Sequence, residues 1–491
     1  MPTTPTLRRP LILASVMAAM FMIAIEATIV STAMPQIAGQ LGDLHLYSWV
    51  FSSFLLTQTA TTVVFGKLAD LYGRKPVLLV GIAVFLVGTV LCGLSWSMPS
   101  LIVFRLLQGV GAGAIQPVCL TVVGDLYSVQ ERGKIQGYLA SVWGISSVLG
   151  PLAGGLIIQH LSWAWIFWIN LPVGLAAAAG FVAFLHENLA RAKQSVDTTG
   201  AALFTVAVAS LMVALTEAGT TDHAVAFAAA CVCVVSTILF VAQERRARDP
   251  MMDFGLWARR PIATANIATL LSGMAVIGLT TFLPMYVQGV LNQSALVAGF
   301  ALTMMVLGWP VGATIAARNF SRFGLRATLL FGAVLLPVGA LAFLFMAPGV
   351  SPVVAGLGSA VMGLGMGCLT TSAIVIIQDS VGWAERGSAT ASNIFSRNLG
   401  STLGATALGA VLNVSLAHRG GGAATVHFEQ IRQLLDHSAG GIGDDVVRAA
   451  LGQSLHLTFW AVFLIAVATL VFATLVPAVA VRQQARPAAA E

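Results

Sequence analysis

What most constrains this chain is the recurrence of apolar runs, each close to twenty residues long, separated by short segments that hold nearly all of its charge. Fourteen runs can be marked, at residues 11–34, 47–69, 77–96, 100–122, 135–158, 163–185, 200–217, 224–243, 263–288, 296–317, 327–347, 352–377, 392–416 and 456–480. A helix rises about 1.5 Å per residue, so about twenty residues cross a hydrocarbon layer of about 30 Å. Only 9% of the 491 residues are charged, against roughly 25% in soluble domains. The fold class this implies is an all-α integral membrane protein, with little chain left for a soluble domain.

Basic residues orient the runs. With the N-terminus in the cytoplasm and sides alternating, 20 of the 25 Lys and Arg fall in cytoplasmic segments. The other five are Arg105 and Arg397, inside runs, and Arg419, Arg432 and Arg448, in one outer loop. Short loops on the cytoplasmic side of a membrane are enriched in Lys and Arg. Both termini are therefore expected in the cytoplasm and the chain in the cytoplasmic membrane. The net charge of +6 then reads as topology rather than nucleic-acid binding. Run 11–34 is too long for a secretory signal, and no small-residue cleavage site follows it. The outer loop at 417–455 is expected to be a solvated cap with short amphipathic helices at 427–435 and 444–451. Cys92, Cys119, Cys231, Cys233 and Cys368 lie in or at the ends of runs and read as packing residues. No metal or cofactor is expected. Phosphate-binding loops and nucleophile motifs are not found, so no enzyme is expected and an ion or substrate gradient must supply the energy.

Residues 106–155 align with 360–409 at a constant offset of 254, without a gap. Gly109, Gly111 and Gly113 meet Gly363, Gly365 and Gly367; Asp125 meets Asp379; Glu131-Arg132-Gly133 meets Glu385-Arg386-Gly387; Gly150 and Gly155 meet Gly404 and Gly409. The offset spans eight runs. Two parallel six-helix halves separated by two extra helices give that spacing. The halves would occupy 1–190 and 261–491, with the inserted helices and linkers in 191–260. Some polar residues are not repeated: Arg105 meets Ser359, Arg397 meets Trp143, and Glu26 has no carboxylate counterpart near Ala275. Repeated residues suggest scaffold, and unrepeated polar ones suggest a site.

Five segments carry specific motifs. Gly66-Lys67-Leu68-Ala69-Asp70-Leu71-Tyr72-Gly73-Arg74-Lys75 resembles the cytoplasmic loop motif of the major facilitator superfamily, with Leu71 where an Arg is usual. Arg105-Leu106-Leu107-Gln108-Gly109 resembles that superfamily's second motif. Gly144, Gly150, Pro151, Gly154 and Gly155 are similar to the antiporter motif of drug exporters. There, the Gly150 and Gly154 spacing leaves a smooth face on which another backbone can approach, and Pro151 removes a donor and bends the helix. Ile25 to Pro35 and Trp163 to Pro172 resemble segments of the 14-helix drug:proton antiporters, with Glu26 in place of the usual Asp and Ala164 in place of a common Arg. The later counterpart of the loop motif, Ser321 to Arg326, lacks the Asp. The resemblance covers nearly the whole chain. It implies the major facilitator fold, two six-helix bundles plus two inserted helices, fourteen transmembrane helices in all. It also implies that Asp70, Arg74 and Asp125, with Gly66 and Gly73 beside them, latch the halves on the cytoplasmic side when the molecule faces outward.

An ionised side chain near the bilayer centre costs roughly 3 kcal/mol, so it should face a cavity or a partner. Glu26 lies roughly 12 Å, and Arg105 roughly 9 Å, from the outer ends of their runs. Both are expected to face the central cavity and to act together in proton coupling. Gln108, Ala112 and Gln116 continue the Arg105 face at helical spacing, which makes Gln108 and Gln116 candidate cavity residues. Trp143 and Trp309 fall mid-run and could stack on a substrate. Asn393 and Arg397 complete the set, although Arg397, about 8 Å from the cytoplasmic end of its run, is equally open to a snorkelling reading. The expected function is a proton-coupled antiporter, a monomer, exporting lipophilic, cationic drug-like compounds by alternating access. Its partners would be that small substrate, protons and membrane lipid. Two alternatives stay open: an exporter of an endogenous lipid, siderophore or secondary metabolite, and a non-transporting receptor or assembly factor.

Overall fold

A computed structural model describes residues 8–41, 46–187, 197–217, 223–247, 254–293, 295–347, 350–419 and 443–478. In chain order its α-helices are α1 (Arg8–Leu41), α2 (Tyr47–Tyr72), α3 (Arg74–Gly93), α4 (Met98–Leu126), α5 (Val129–His160), α6 (Trp165–Trp168), α7 (Asn170–Phe184), α8 (Thr198–Glu217), α9 (His223–Glu244), α10 (Phe254–Ala258), α11 (Arg260–Gly289), α12 (Ala295–Leu344), α13 (Pro352–Asp379), α14 (Arg386–Arg419) and α15 (Gly443–Thr474). Twelve helical segments among the described residues are long and apolar enough to cross a membrane. One of these, Val297–Leu344, is twice the usual length because Gly324 (φ 82°) joins two spans without a loop. Counting its two arms separately and adding the 26-residue α2, which polar residues make less apolar, gives the fourteen spans expected.

Local sequence sets the ends. Ser97 and Ser100 form a capping box that starts α4, and Ser128 and Glu131 form one that starts α5. Gly73 (φ 97°) separates α2 from α3, and Gly324 occupies the same kind of corner between the arms of α12. Both adopt a left-handed backbone that a side chain would strain. Several boundaries differ from the sequence reading, among them that run 11–34 extends to Leu41 and run 135–158 starts at Val129. Run 163–185 is interrupted between α6 and α7. Residues 444–451 are not a separate amphipathic helix but the first turns of α15, while 427–435 lies outside the described residues. The run beginning at 392 starts two turns earlier, at Arg386.

The glycine repeat has a direct packing cause. On α4, Gly109 and Gly113 lie against α2, at the Phe54 and Gln58 carbonyls, and Gly111 lies against α3 at the Gly81 carbonyl. On α13, Gly363 and Gly367 lie against the first arm of α12, at the Met305 and Trp309 carbonyls, and Gly365 lies against the second arm at the Gly332 carbonyl. A Cβ at any of these positions would strike a neighbouring backbone, so the helices cross closely only if glycine stays. The same three-helix wedge is thus built twice.

Apolar cores follow the same division. One large cluster joins α11 to α15, and two others join the helices from α1 to α7, one of them reaching Ile394 of α14. A fourth, smaller cluster forms where α8 and α9 meet α2 and α14: Phe204 and Phe240 of the inserted pair pack with Ala60 and Val63 of α2 and Phe395 of α14. At the far ends of these helices, Trp49 Nε1 donates to Glu217 Oε1 (3.1 Å), and Thr406 Oγ1 donates to the Leu215 carbonyl (3.2 Å). The inserted pair therefore touches both halves along their seam.

Candidate functional site

A cavity of about 420 Å³ lies between the halves. From the first half, α1 contributes Met20 and Thr28, α4 contributes Gln116, and α5 contributes Gln136, Trp143 and Ser147. From the second half come Thr269 and Thr280 of α11, Trp309 of α12, Thr370 and Thr371 of α13, and Asn393, Arg397 and Ser401 of α14. Among the described lining residues the only charged side chain is Arg397. It stands twelve residues into α14, about 16 Å from the helix start at 1.5 Å per residue. The sequence reading put Arg397 about 8 Å from the start of its run; in α14 it stands further from the helix end and lines the cavity. Asn393 is held by bonds from its Nδ2 to Asn266 Oδ1 (3.2 Å) and Thr269 Oγ1 (3.0 Å). Gln116 Oε1 accepts from Gln58 Nε2 at 3.4 Å. Gln116, Trp143, Trp309, Asn393 and Arg397 are thus brought together; Gln108 is not.

Gln108 belongs instead to a sealed polar network inside the first half. Arg105 Nη1 donates to Glu26 Oε1 and to Gln108 Oε1 (2.7 Å), and Arg105 Nε donates to the Val50 carbonyl (3.2 Å). Asn170 Nδ2 donates to Glu26 Oε2 (2.6 Å), and Gln108 Nε2 donates to Thr89 Oγ1 (2.9 Å). The Arg105 guanidinium also lies over the Phe54 ring, 4.3 Å from its centre. Glu26 is 0% exposed and Arg105 1%. The two are paired, as their matching depths suggested, but neither lines the cavity. The reason is helical rotation: Thr28 lines the cavity, and a residue two positions away on a helix points to the opposite face. A cation in the cavity would not meet the Glu26 carboxylate; it would meet Arg397. The expectation that Glu26 and Arg105 face the central cavity is therefore corrected. Asn170 was visible in the Trp163 to Pro172 motif, but only the fold shows that it holds the carboxylate.

A second ionic cluster closes the end of the molecule that carries Gly73. Arg74 is 0% exposed and pairs through Nη2 with Asp70 Oδ1 (3.1 Å) and through Nε with Asp125 Oδ2 (3.1 Å). Arg386, from the other half, pairs with Asp125 Oδ1 (2.7 Å) and donates to the Gly124 carbonyl (3.1 Å). Trp383 lies over the Arg74 guanidinium at 4.0 Å, and its carbonyl accepts from Arg74 Nη2 (2.8 Å). Asp70 acts on the first turn of α14: Oδ1 accepts from Gly387 N (2.9 Å), and Oδ2 accepts from Ser388 N (2.7 Å) and Ser388 Oγ (2.9 Å). A carboxylate there satisfies orphan N–H groups and favours the positive helix end, so one half caps a helix of the other. Gly66 and Gly387 let the helices come this close; a Cβ on Gly387 would sit 2.6 Å from Asp70 Oδ1 and from the Gly66 carbonyl. Gly66, Asp70, Gly73, Arg74 and Asp125 are all at this junction. Its partners Trp383, Arg386, Gly387 and Ser388 were not singled out as site residues, although the repeated Glu385-Arg386-Gly387 was a signal.

The α5 motif is only partly a close crossing. A Cβ on Gly150 would strike Thr28 Oγ1 and the Ile29 backbone of α1, and Thr28 Oγ1 also donates to the Ser146 carbonyl (3.0 Å). Gly154 is buried, Gly144 has Val306 at 3.8 Å, and Gly155 faces open space. The Pro151 side chain lies outside the described residues.

Comparison with known proteins places this geometry. The model of the Major Facilitator Superfamily matches residues 16–405. The chain is similar to the multidrug transporter protein MdtP of Bacillus subtilis, 34% identical over 83% of this chain and 76% of that one. It is also similar to multidrug resistance protein 3 of the same organism, 35% identical over 79% of this chain and 77% of that one. Among solved structures, the human organic anion transporter MFSD10 (TETRAN) superposes with a TM-score of 0.64 over 93% of this chain and 99% of that one, at 16% identity, a likeness of fold alone.

Proposed function

The chain belongs to the major facilitator superfamily, and from that premise we propose that it exports lipophilic drug-like compounds by alternating access, coupled to inward movement of protons. The observation that carries this reading is a central cavity bounded by both halves and sealed at one end by a cross-half ionic latch, in a chain similar to two multidrug transporters. The latched end holds most of the Lys and Arg, which argues that it faces the cytoplasm. The state described would then be one from which cargo leaves outward. Opening the latch would rock the halves about the cavity and admit cargo from inside.

Coupling would run through α1 rather than by direct contact between proton and cargo. Glu26 is a deeply buried carboxylate that ties α1 to α4 and α7, while Thr28 on the same helix lines the cavity and meets α5. Protonation of Glu26 would weaken its hold on Arg105 and free α1 to shift. The test is reconstitution in proteoliposomes with a lipophilic fluorophore panel, following fluorophore movement and lumenal pH together. Fluorophore flux that moves protons the other way, and stops with a protonophore, is the expected result. Flux indifferent to the protonophore would leave an exporter without proton coupling, and no flux for any member would remove the drug-export reading.

A further inference from the structure

Among the described residues, the cavity presents one charged side chain and gives it no counter-ion. Among the described residues no hydrogen bond, ion pair or aromatic ring is recorded for the Arg397 guanidinium, and no Asp, Glu or His lines the space it points into. The neighbouring polar groups, Asn393, Thr269, Ser401 and Gln116, are neutral. A cation held deep in a membrane protein without a partner is costly, and such a residue is retained where something transient completes it. Arg397 is half-buried, whereas the fully buried arginines among the described residues, Arg74, Arg105, Arg132 and Arg386, all meet carboxylates or backbone carbonyls. Arg397 is the exception, and it is the one in the cavity.

Its surroundings specify the rest of the ligand. Trp143 occupies the position in the first half that Arg397 occupies in the second, 254 residues earlier, and both line the cavity. Trp309 adds a second indole. A guanidinium with two indoles offers a planar fork for a carboxylate and stacking faces for an apolar ring. An organic cation would gain the stacking and lose against the guanidinium. We infer that Arg397 is an anion-binding centre, and that the preferred cargo class of this cavity is an aromatic carboxylate rather than an organic cation. This rests on the export reading only for the direction of movement; the binding site stands or falls separately.

The test uses three probes of one shape: 1-naphthylacetate, 1-naphthylacetamide and 1-naphthylmethylammonium. Binding to the purified full-length protein is measured by quenching of tryptophan fluorescence at neutral pH. The expected order is carboxylate, then amide, then ammonium, with the carboxylate at least tenfold tighter than the ammonium. Arg397→Gln should erase that preference by weakening carboxylate binding at least tenfold more than amide binding, and residual amide binding in the variant reports that the cavity is intact. Arg397→Lys should keep part of the preference. Carboxylate binding no tighter than amide binding overturns the inference, as does a preference that survives in Arg397→Gln. Efflux of the same probes separates the two readings. Outward movement of the amide or ammonium with no carboxylate preference keeps the exporter and removes the anion site. Arg397-dependent carboxylate binding without movement keeps the site and removes the exporter.

Discussion

The two halves share a scaffold and differ in charge, and the difference is sharpest at positions that the repeat makes equivalent. Both build the same glycine wedge, α4 between α2 and α3, and α13 between the arms of α12. Yet at the position where the first half has Arg105, locked to Glu26, the second has Ser359, whose buried hydroxyl has no partner among the described residues. At the latched end, Gly387 of α14 crosses Gly66 of α2, while its counterpart Gly133 of α5 crosses Ala317 of α12. The first crossing carries Asp70 as a cap supplied by the other half. In the second, α5 caps itself through Ser128 and Glu131, and Ser321 stands where an Asp70 equivalent would be. Within the wedge, glycine position is what close helix crossing demands, so it repeats there. Charge is what a particular role demands, so it need not.

The largest effect expected from breaking this asymmetry is at the buried pair. Glu26→Ala leaves Arg105 charged and uncompensated in a dry interior, at a cost of about 3–5 kcal/mol. Ser359→Ala, its control in the other half, removes an unpartnered hydroxyl and should change stability by less than about 1 kcal/mol. Thermal melting of the purified proteins decides this, and equal melting points for the two variants would end the contrast. Glu26→Gln should be milder than Glu26→Ala. The amide oxygen still accepts from Arg105, and Asn170 Oδ1, which has no other partner among the described residues, can turn to accept the new N–H.

Next in size is the latch. Asp70→Asn loses a charged acceptor at three donors and the pairing with Arg74, a weakening of about 2 kcal/mol, or roughly a thirtyfold shift away from the latched state. Turnover should fall with cargo affinity unchanged, whereas Ser321→Asn at the other crossing should leave turnover as it was. Matching losses in the two variants would show that the crossings work alike. The smallest effect belongs to the exposed Arg259–Glu385 pair beside the latch, with side chains 41% and 37% exposed. Glu385→Gln should cost no more than about 1 kcal/mol, and the difference should vanish in high salt. A larger, salt-resistant loss would extend the latch to the surface.

Much of this was legible in the residues. Apolar runs gave the fourteen spans because membrane crossing is a matter of length and hydropathy within one segment. The loop motif at Gly66 to Lys75 located one side of the latch, and the repeat pointed at the other through Arg386 and Gly387. What stayed hidden was rotation and extent. Gln108 and Gln116 share a helix face by spacing, yet eight residues of rise put one in the sealed network and the other in the cavity. Glu26 looked like a cavity residue because depth can be counted from a helix end, while the direction a side chain faces depends on which helices pack around it.

By itself the sequence determined an all-helical membrane protein made of two related halves, since hydropathy, glycine spacing and repeat offset are properties of the chain alone. Only the tertiary structure decided that Glu26 and Arg105 are sealed together, that Asp70 caps a helix of the opposite half, and that Arg397 stands in the cavity without a counter-ion among the described residues. Each of those depends on how a helix is turned about its axis and where it begins, and packing between segments distant in the chain sets both.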